Sequence, residues 1–105
     1  MCGITGYIGN KEAAPILLKS LKRMEYRGYD SAGISTIKEN NIVIKKDIGR
    51  IDFINEKIEL SKAKGKIGIA HTRWATHGGV TRENAHPHSS CKNEVILVHL
   101  SLIHI

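Results

Sequence analysis

The first nine residues, MCGITGYIG (1–9), place a cysteine directly behind the initiator methionine and at the start of a β-strand pattern. Isoleucines and glycines alternate along one face of that strand, and the glycines favour close backbone packing. Removal of Met1, which is usual before a small residue, would leave a thiol and a free α-amino group on one carbon. Free thiols have a pKa near ~8.5 and α-amino groups one near ~7.7 to 8.0, so the amine can accept the thiol proton. The pattern indicates a nucleophile with its own base, suited to acyl transfer, although these residues alone also allow Cys2 to be a small buried apolar residue.

Composition limits the class of protein. The chain has 105 residues, of which 41% are hydrophobic, enough for one small domain or for part of a larger one. It has no apolar run of about 18 residues for a membrane span and no signal-peptide pattern. Two cysteines without a disulfide spacing fit free thiols in a reducing compartment. We therefore expect a cytoplasmic protein that does not bind membranes.

The net charge of +6 raises the possibility of nucleic-acid binding. The lysines, however, are spread along the whole chain with acidic residues between them, and aromatic residues make up only 5% of the sequence. Base stacking needs aromatic side chains among the basic ones. We interpret the charge as a solvated lysine-rich surface and expect no nucleic-acid partner.

Strand and helix patterns alternate along the chain. We predict strands, helices and loops in this order: strand 2–9, helix 12–25, loop 26–30, a hairpin of strands 32–37 and 42–46, helix 51–61, strand 67–71, loop 72–93 and a closing segment 94–105 whose middle, 95–98, is a buried strand. Pro15 belongs in the first turn of the first helix. The order indicates a layered α/β (α+β) arrangement, and the long loop is of the kind that usually carries function.

The start of the long loop contains candidates for ligand binding. Arg73 follows a buried strand and precedes two glycines, Gly78 and Gly79, which would let the loop bend over a ligand. A guanidinium group there is suited to binding a carboxylate through two parallel hydrogen bonds. The alternative is that Arg73 forms a surface ion pair and Trp74 is a core aromatic residue.

Histidines and a cysteine in the last third of the chain suggest a metal site. These residues are His71, His77, His86, His88, His99 and Cys91. Zinc sites usually show two pairs of ligands at short, repeated spacing, and only one such half-pattern is present. We therefore expect no metal.

Four blocks of sequence carry a resemblance to a known family. They cover 1–6, 25–33 (EYRGYDSAG), 68–78 (GIAHTRWATHG) and 84–88 (NAHPH). The cysteine at position 2 is shared by class II glutamine amidotransferases in general. The second and third blocks together resemble the glutaminase domain of the glutamine–fructose-6-phosphate aminotransferase family. The resemblance covers residues 1–99, the N-terminal half of that domain, and leaves 100–105 as a non-matching tail.

The resemblance implies a fold, a reaction and a set of site residues. The fold would be an incomplete N-terminal-nucleophile hydrolase sandwich (αββα), and Cys2 would attack the side-chain amide of L-glutamine without a cofactor. Four residues of the loop would bind the substrate: Arg73, Trp74, Thr76 and His77. Arg73 would bind the α-carboxylate of glutamine, and Trp74 would belong to the part of the loop that closes over the site. Three further residues would support the nucleophile: Arg27, Gly28 and His86. The ammonia would convert fructose 6-phosphate to glucosamine 6-phosphate in a full-length parent that forms a homo-oligomer.

One departure from the family bears on activity. The family continues the strand that ends at 98–99 with Asn-Gly, which provides oxyanion donors, whereas this chain has Leu100 and Ser101. Loss of one such donor costs about 10² to 10³ in rate. Because the similarity is lost abruptly after residue 99, we expect a truncated fragment, and without the asparagine donor we expect it to be inactive alone. A non-catalytic glutamine-binding module and another class II enzyme, such as amidophosphoribosyltransferase, are the alternatives.

Overall fold

The chain folds into one main antiparallel sheet with helices packed on it. The computed structural model describes residues 2–74, 79–92 and 95–99. Its elements are β1 (Gly3–Ile8), α1 (Ala13–Arg23), β2 (Ser31–Lys38), β3 (Asn41–Ile48), α2 (Ile51–Ile58), β4 (Ile67–Arg73), β5 (His88–Ser89) and β6 (Ile96–Leu97). Short 3₁₀ turns cover Glu25–Arg27 and Leu60–Lys62.

The main sheet has four strands in the order β1-β4-β2-β3, and every neighbouring pair is antiparallel. β4 therefore lies between the first strand of the chain and β2. The register places Gly3 opposite Thr72, and Thr72 opposite Ala32. β5 and β6 form a separate two-stranded pair. The layered α/β prediction is confirmed.

The helices cover one face of this sheet and form the core with it. In α1 the apolar stripe predicted from the sequence is turned inward, with Leu17 and Leu21 fully buried, and Pro15 lies in the first turn as expected. The buried cluster unites both helices with the strands: Ala13, Leu17, Leu21, Ala32, Ile34, Ile51, Ile54, Leu60 and Ala70. This core fixes the position of β4, whose end carries the candidate site.

The hairpin between β2 and β3 is confirmed, and its turn lies where the sequence predicts it. Glu39 and Asn40 both have positive φ, 50° and 68°. Two consecutive left-handed residues match the right-handed twist of the flanking strands. The hairpin therefore brings Lys46 opposite Gly33.

Several predicted boundaries were wrong. The second helix ends at Ile58 and not at residue 61, because Glu59 has a left-handed conformation (φ 55°, ψ 59°) and a 3₁₀ turn follows. The fourth strand continues past residue 71 to Arg73, since Ser31 of β2 pairs with Arg73. The predicted loop consequently begins later, and it contains the short strand β5.

The last predicted strand is also shorter than expected in the part that the structure describes. Only Ile96–Leu97 is a strand, and its neighbourhood is not a buried centre, because Val95 is 60% exposed and Leu97 51% exposed. The rest of the closing segment, 94 and 100–105, lies outside the described residues. The proposed tail at 100–105 therefore stays a prediction.

None of the helices in the described ranges is long and apolar enough to cross a membrane.

Candidate active site

Cys2 and Trp74 meet at the end of the main sheet, although they lie 72 positions apart in the sequence. The Trp74 backbone N–H donates to the Cys2 Sγ atom at 3.3 Å, and the thiol donates to the Trp74 carbonyl oxygen at 3.6 Å. Cys2 is partly buried. The thiol is therefore held against the backbone of one residue just past the end of β4.

The β1–β4 register explains why the thiol lies there. Gly3 faces Thr72, so the residue before Gly3 reaches the level of Arg73 at the end of β4. A Cβ atom on Gly3 would collide with the Met24 Sδ atom and lie 3.3 Å from the Thr72 hydroxyl oxygen. The side chains of Met24 and Thr72 therefore pack directly on the Gly3 backbone, which leaves no room for a side chain there.

Arg73 lies at the same end of the sheet, and its side chain binds the backbone at Gly79. Its Nη1 donates to the Gly79 carbonyl oxygen at 3.0 Å, and the Asn84 side-chain amide donates to the same oxygen at 3.1 Å. Its backbone carbonyl accepts a hydrogen bond from the Asp30 N–H at 2.8 Å. Arg73 is thus half-buried beside the thiol site, and its contact with a carboxylate stays a prediction.

Gly28 lies beside the indole ring of Trp74, the residue whose backbone contacts the Cys2 thiol. Trp74 is 51% exposed, which excludes the alternative that it is a core aromatic residue. Gly28 has a φ of 79°, and a Cβ atom there would lie 3.9 Å from the indole ring. A side chain at this position would be strained by its backbone conformation, which gives a physical reason for glycine beside the indole.

The remaining predicted site residues divide into two groups. Thr76 and His77 lie outside the described residues. Arg27 belongs to the 3₁₀ turn that precedes Gly28.

His86 stacks on His71 and belongs to a cluster of imidazoles. The two ring centroids are 4.1 Å apart at an interplanar angle of 20°, and His88 lies 4.3 Å from His86 at 58°. Burial, followed by the nearby basic groups, lowers the pKa of His86 to about 4, and burial likewise lowers the pKa of His71 to about 4. Within 2–74, 79–92 and 95–99, no group of three or more His, Cys, Asp or Glu side chains is arranged to hold a metal ion.

Sequence reasoning missed the role of Lys46. Its ammonium group donates to the carbonyl oxygens of Ala85 at 2.8 Å, Pro87 at 3.1 Å and Glu83 at 3.4 Å. Burial lowers its pKa. In the sequence, the signal for this role is that the predicted hairpin places Lys46 opposite Gly33. In the structure, a Cβ atom on Gly33 would collide with the His86 carbonyl oxygen, so the segment of His86 packs directly on this part of the hairpin. Lys46 therefore holds the segment that carries His86.

The two cysteines differ in their surroundings. Both are free thiols, but Cys91 is exposed whereas Cys2 is partly buried against Trp74. The difference singles out Cys2 as the thiol that belongs to a formed site.

Comparison with known proteins gives sequence relatives and structural neighbours. The chain is 52% identical to glutamine–fructose-6-phosphate aminotransferase (isomerizing) from Methanococcus maripaludis and 52% identical to that from Pyrococcus horikoshii; it is 53% identical to that from Caldanaerobacter subterraneus. Each match covers 98% of this chain and 17% of the relative, so the chain spans about a sixth of the length of these relatives. No family model matches the chain.

Two solved structures share the fold. One is glutamine phosphoribosylpyrophosphate amidotransferase from B. subtilis, in complex with ADP and GMP, with a TM-score of 0.72 and 33% identity. The other is described as the allosteric regulatory enzyme of purine biosynthesis, with a TM-score of 0.74 and 35% identity. Each match covers 89% of this chain and 20% of the other.

The fold and these neighbours define the class: the chain is part of an N-terminal-nucleophile glutamine amidotransferase domain, an incomplete αββα sandwich, as predicted. Within that class its sequence matches the N-terminal part of proteins named glutamine–fructose-6-phosphate aminotransferase. The resemblance inferred from the four sequence blocks is confirmed.

Proposed function

We propose that this chain provides the nucleophile half of a glutamine-hydrolysing site, with Cys2 as the nucleophile. The observation that carries the proposal is the Cys2 thiol, held against the Trp74 peptide at the end of the sheet where Arg73 also lies. The name of the sequence relatives supports glutamine as the nitrogen donor and fructose 6-phosphate as the acceptor in the complete protein.

The proposed reaction starts with proton transfer within one residue. After removal of Met1, the α-amino group of Cys2 takes the thiol proton, and the thiolate attacks the side-chain amide carbon of glutamine. The new C–S bond forms as the C–N bond breaks, and the ammonium group returns its proton to the departing nitrogen, which leaves as ammonia. Water, deprotonated by the same amine, then releases glutamate from the γ-glutamyl thioester and restores the thiol.

Recognition of glutamine is assigned to the loop after β4. Arg73 is proposed to bind the α-carboxylate of glutamine, because a guanidinium group can donate two parallel hydrogen bonds to it. Thr76 and His77 are proposed to line the substrate, and Trp74 to cover the thiol. Arg27, Gly28 and His86 are proposed to support these residues.

The remaining parts of the proposal concern the complete protein. We propose that residues 1–99 form the N-terminal half of its amidotransferase domain, that it works in the cytoplasm and that it forms a homo-oligomer. An amidophosphoribosyltransferase is the less favoured alternative, because the solved structure of that activity is 33% identical to the chain, against 52% and 53% for the fructose 6-phosphate relatives.

Glutamate release tests the proposal. The test protein joins residues 1–99 of this chain to the remainder of the Methanococcus maripaludis relative, and we call it the continued protein. Its activity is measured as glutamate formed from glutamine. The Cys2→Ala variant should release no glutamate, and the matched Cys91→Ala variant should keep the rate of the parent. A form with one residue added before Cys2, in which the α-amine becomes an amide, should also be inactive. Glutamate release by the Cys2→Ala variant at the parent's rate would overturn the proposal.

A further inference from the structure

Both peptide groups of His99 are bound by imidazole rings. The His71 Nε2 atom lies 3.0 Å from the His99 carbonyl oxygen, and the His99 N–H donates to His86 Nδ1 at 3.4 Å. The two imidazoles belong to different parts of the chain, β4 and the segment before β5, yet they stack on each other. Together they bind one residue by its N–H and C=O, as a neighbouring β-strand would.

This arrangement requires one protonation state of each ring. A carbonyl oxygen only accepts, so His71 must carry its proton on Nε2. A backbone N–H only donates, so His86 must have an unprotonated Nδ1 and a proton on Nε2. His71 Nδ1 is buried without a hydrogen-bond partner among the described residues, so a proton there would be buried without an acceptor. The geometry therefore fits two neutral rings.

The charged surroundings of the two rings favour the same state. The hydrogen bond to the His99 carbonyl raises the pKa of His71, but burial outweighs it, and the titratable groups near the two rings are all basic: Arg73, Lys46, His88, His99 and, for His86, His71. Burial and these neighbours lower the pKa of both rings to about 4. Both rings are consequently neutral near pH 7 and become protonated only in acid.

The contact lies close to the thiol site. His71 faces Ile4 in the β1–β4 register, two residues from Cys2, and Arg73 is two residues further along β4. Alternation puts the His71 and Arg73 side chains on the same face of the strand. His99 is thus attached beside the end of the sheet where Cys2 lies.

We propose that His71 and His86 are positioning residues that form a tautomer-specific clamp on the His99 peptide and so fix the 95–99 segment beside the thiol site. The role in positioning rests on the proposed function. The clamp itself is measured on His99 and not through turnover, so failure of the clamp and failure of the glutaminase proposal give different results.

Nuclear magnetic resonance of the full chain tests the clamp near neutral pH. Long-range ¹H–¹⁵N spectra should show both rings as Nε2–H tautomers. Exchange of the His99 amide hydrogen should be slowed about tenfold or more relative to a free peptide, as expected for one net hydrogen bond.

Matched variants separate the hydrogen bonds from the packing of the rings. His86→Phe keeps a ring without an acceptor, so the His99 amide should lose its protection, whereas His86→Asn offers an oxygen and should keep most of it. His71→Gln keeps an N–H donor to the His99 carbonyl, so the His99 amide should stay as protected as in the parent. His71→Phe has no donor, so this protection should fall. The Leu17 amide, in the core, serves as the control for an intact fold.

Two results would overturn the clamp. One is a His86 ring carrying its proton on Nδ1 in the unaltered chain, a measurement that does not depend on any variant folding. The other is equal His99 protection in the parent and in His86→Phe while the Leu17 amide stays protected.

Discussion

The two faces of the main sheet differ in how completely they are covered. On the helical face, Ile34 and Ala70 are fully buried against α1 and its neighbours. On the opposite face Ile4 is 47% exposed, Ile8 77% and Ile67 45%. By alternation along β4, His71 and Arg73 lie on this same face, which we call the open face, although His71 itself is buried beneath His86. The difference shows that the core is formed on one side of the sheet and the candidate chemistry on the other.

The largest effect on stability should therefore come from the helical face. Leu17→Ala removes a fully buried side chain and should lower the free energy of unfolding by about 2 to 5 kcal/mol. Ile8→Ala on the open face should change it by about 0.5 kcal/mol or less, because Ile8 is already largely exposed. Urea unfolding followed by circular dichroism measures both. Equal losses would show that the open face is packed after all.

Arg73 tests the chemistry assigned to the open face. In the continued protein, Arg73→Lys keeps the charge but loses the paired hydrogen bonds, so apparent glutamine affinity should fall by about 1.5 to 3 kcal/mol. The thiol should keep its reactivity toward a small electrophile without a carboxylate. If that reactivity fell in parallel with glutamine affinity, Arg73 would be structural.

Acid should lower the free energy of unfolding through His71 and His86. Because His71 and His86 have pKa values of about 4 in the fold and near ~6.5 when unfolded, the unfolded chain binds more protons between these values. Their contribution to stability is complete above pH ~6.5 and is lost as the pH falls through about 4. Urea unfolding of the parent and of His71→Gln, which has one titrating ring fewer, should show a shallower decline in the variant. An identical decline would remove His71 from the explanation.

Lys46 should contribute less to the free energy of unfolding than Leu17 does, because it binds only the segment that carries His86. Lys46→Met keeps the alkyl chain but removes the donor to three carbonyl oxygens, and should cost about 1 to 2 kcal/mol of unfolding free energy. Lys19→Met, at an exposed position of α1, is the control and should be near neutral. A neutral Lys46→Met would mean that water replaces the ammonium group without cost.

The smallest effect should come from the surface ion pair between Lys22 and Asp52. Its atoms are 2.7 Å apart, but the side chains are 47% and 75% exposed. A double-mutant cycle with both residues changed to Ala should give a small coupling energy that decreases further as salt is added. A larger, salt-independent coupling would show that the pair is less solvated than its exposure indicates.

The helical face was the more predictable one from the sequence. The stripe of α1, the position of Pro15 and the β2–β3 hairpin depend on residues close in the chain, where periodicity and turn propensity act. The end of α2 was missed because Glu59 is left-handed, and no glycine or proline marks that position.

The open face depends on contacts between distant residues, which periodicity does not report. The Cys2–Trp74 contact joins the residue before β1 to the residue after β4. The family resemblance put both residues in the site but did not predict this contact. The stacking of His71 on His86 was not anticipated, since the sequence offered His71 only as a possible metal ligand and His86 as a metal ligand or a supporting residue. A histidine cluster defines chemistry through its tautomers and contacts, and these require the fold.

Labelling of the thiols tests the central claim most directly. The continued protein would be treated with a glutamine analogue that carries a diazoketone in place of the side-chain amide, and the modified cysteine would be identified by mass spectrometry. We expect the adduct on Cys2, its suppression by excess glutamine and an unmodified Cys91. An adduct on Cys91 with Cys2 untouched would contradict the assignment of Cys2 as the nucleophile.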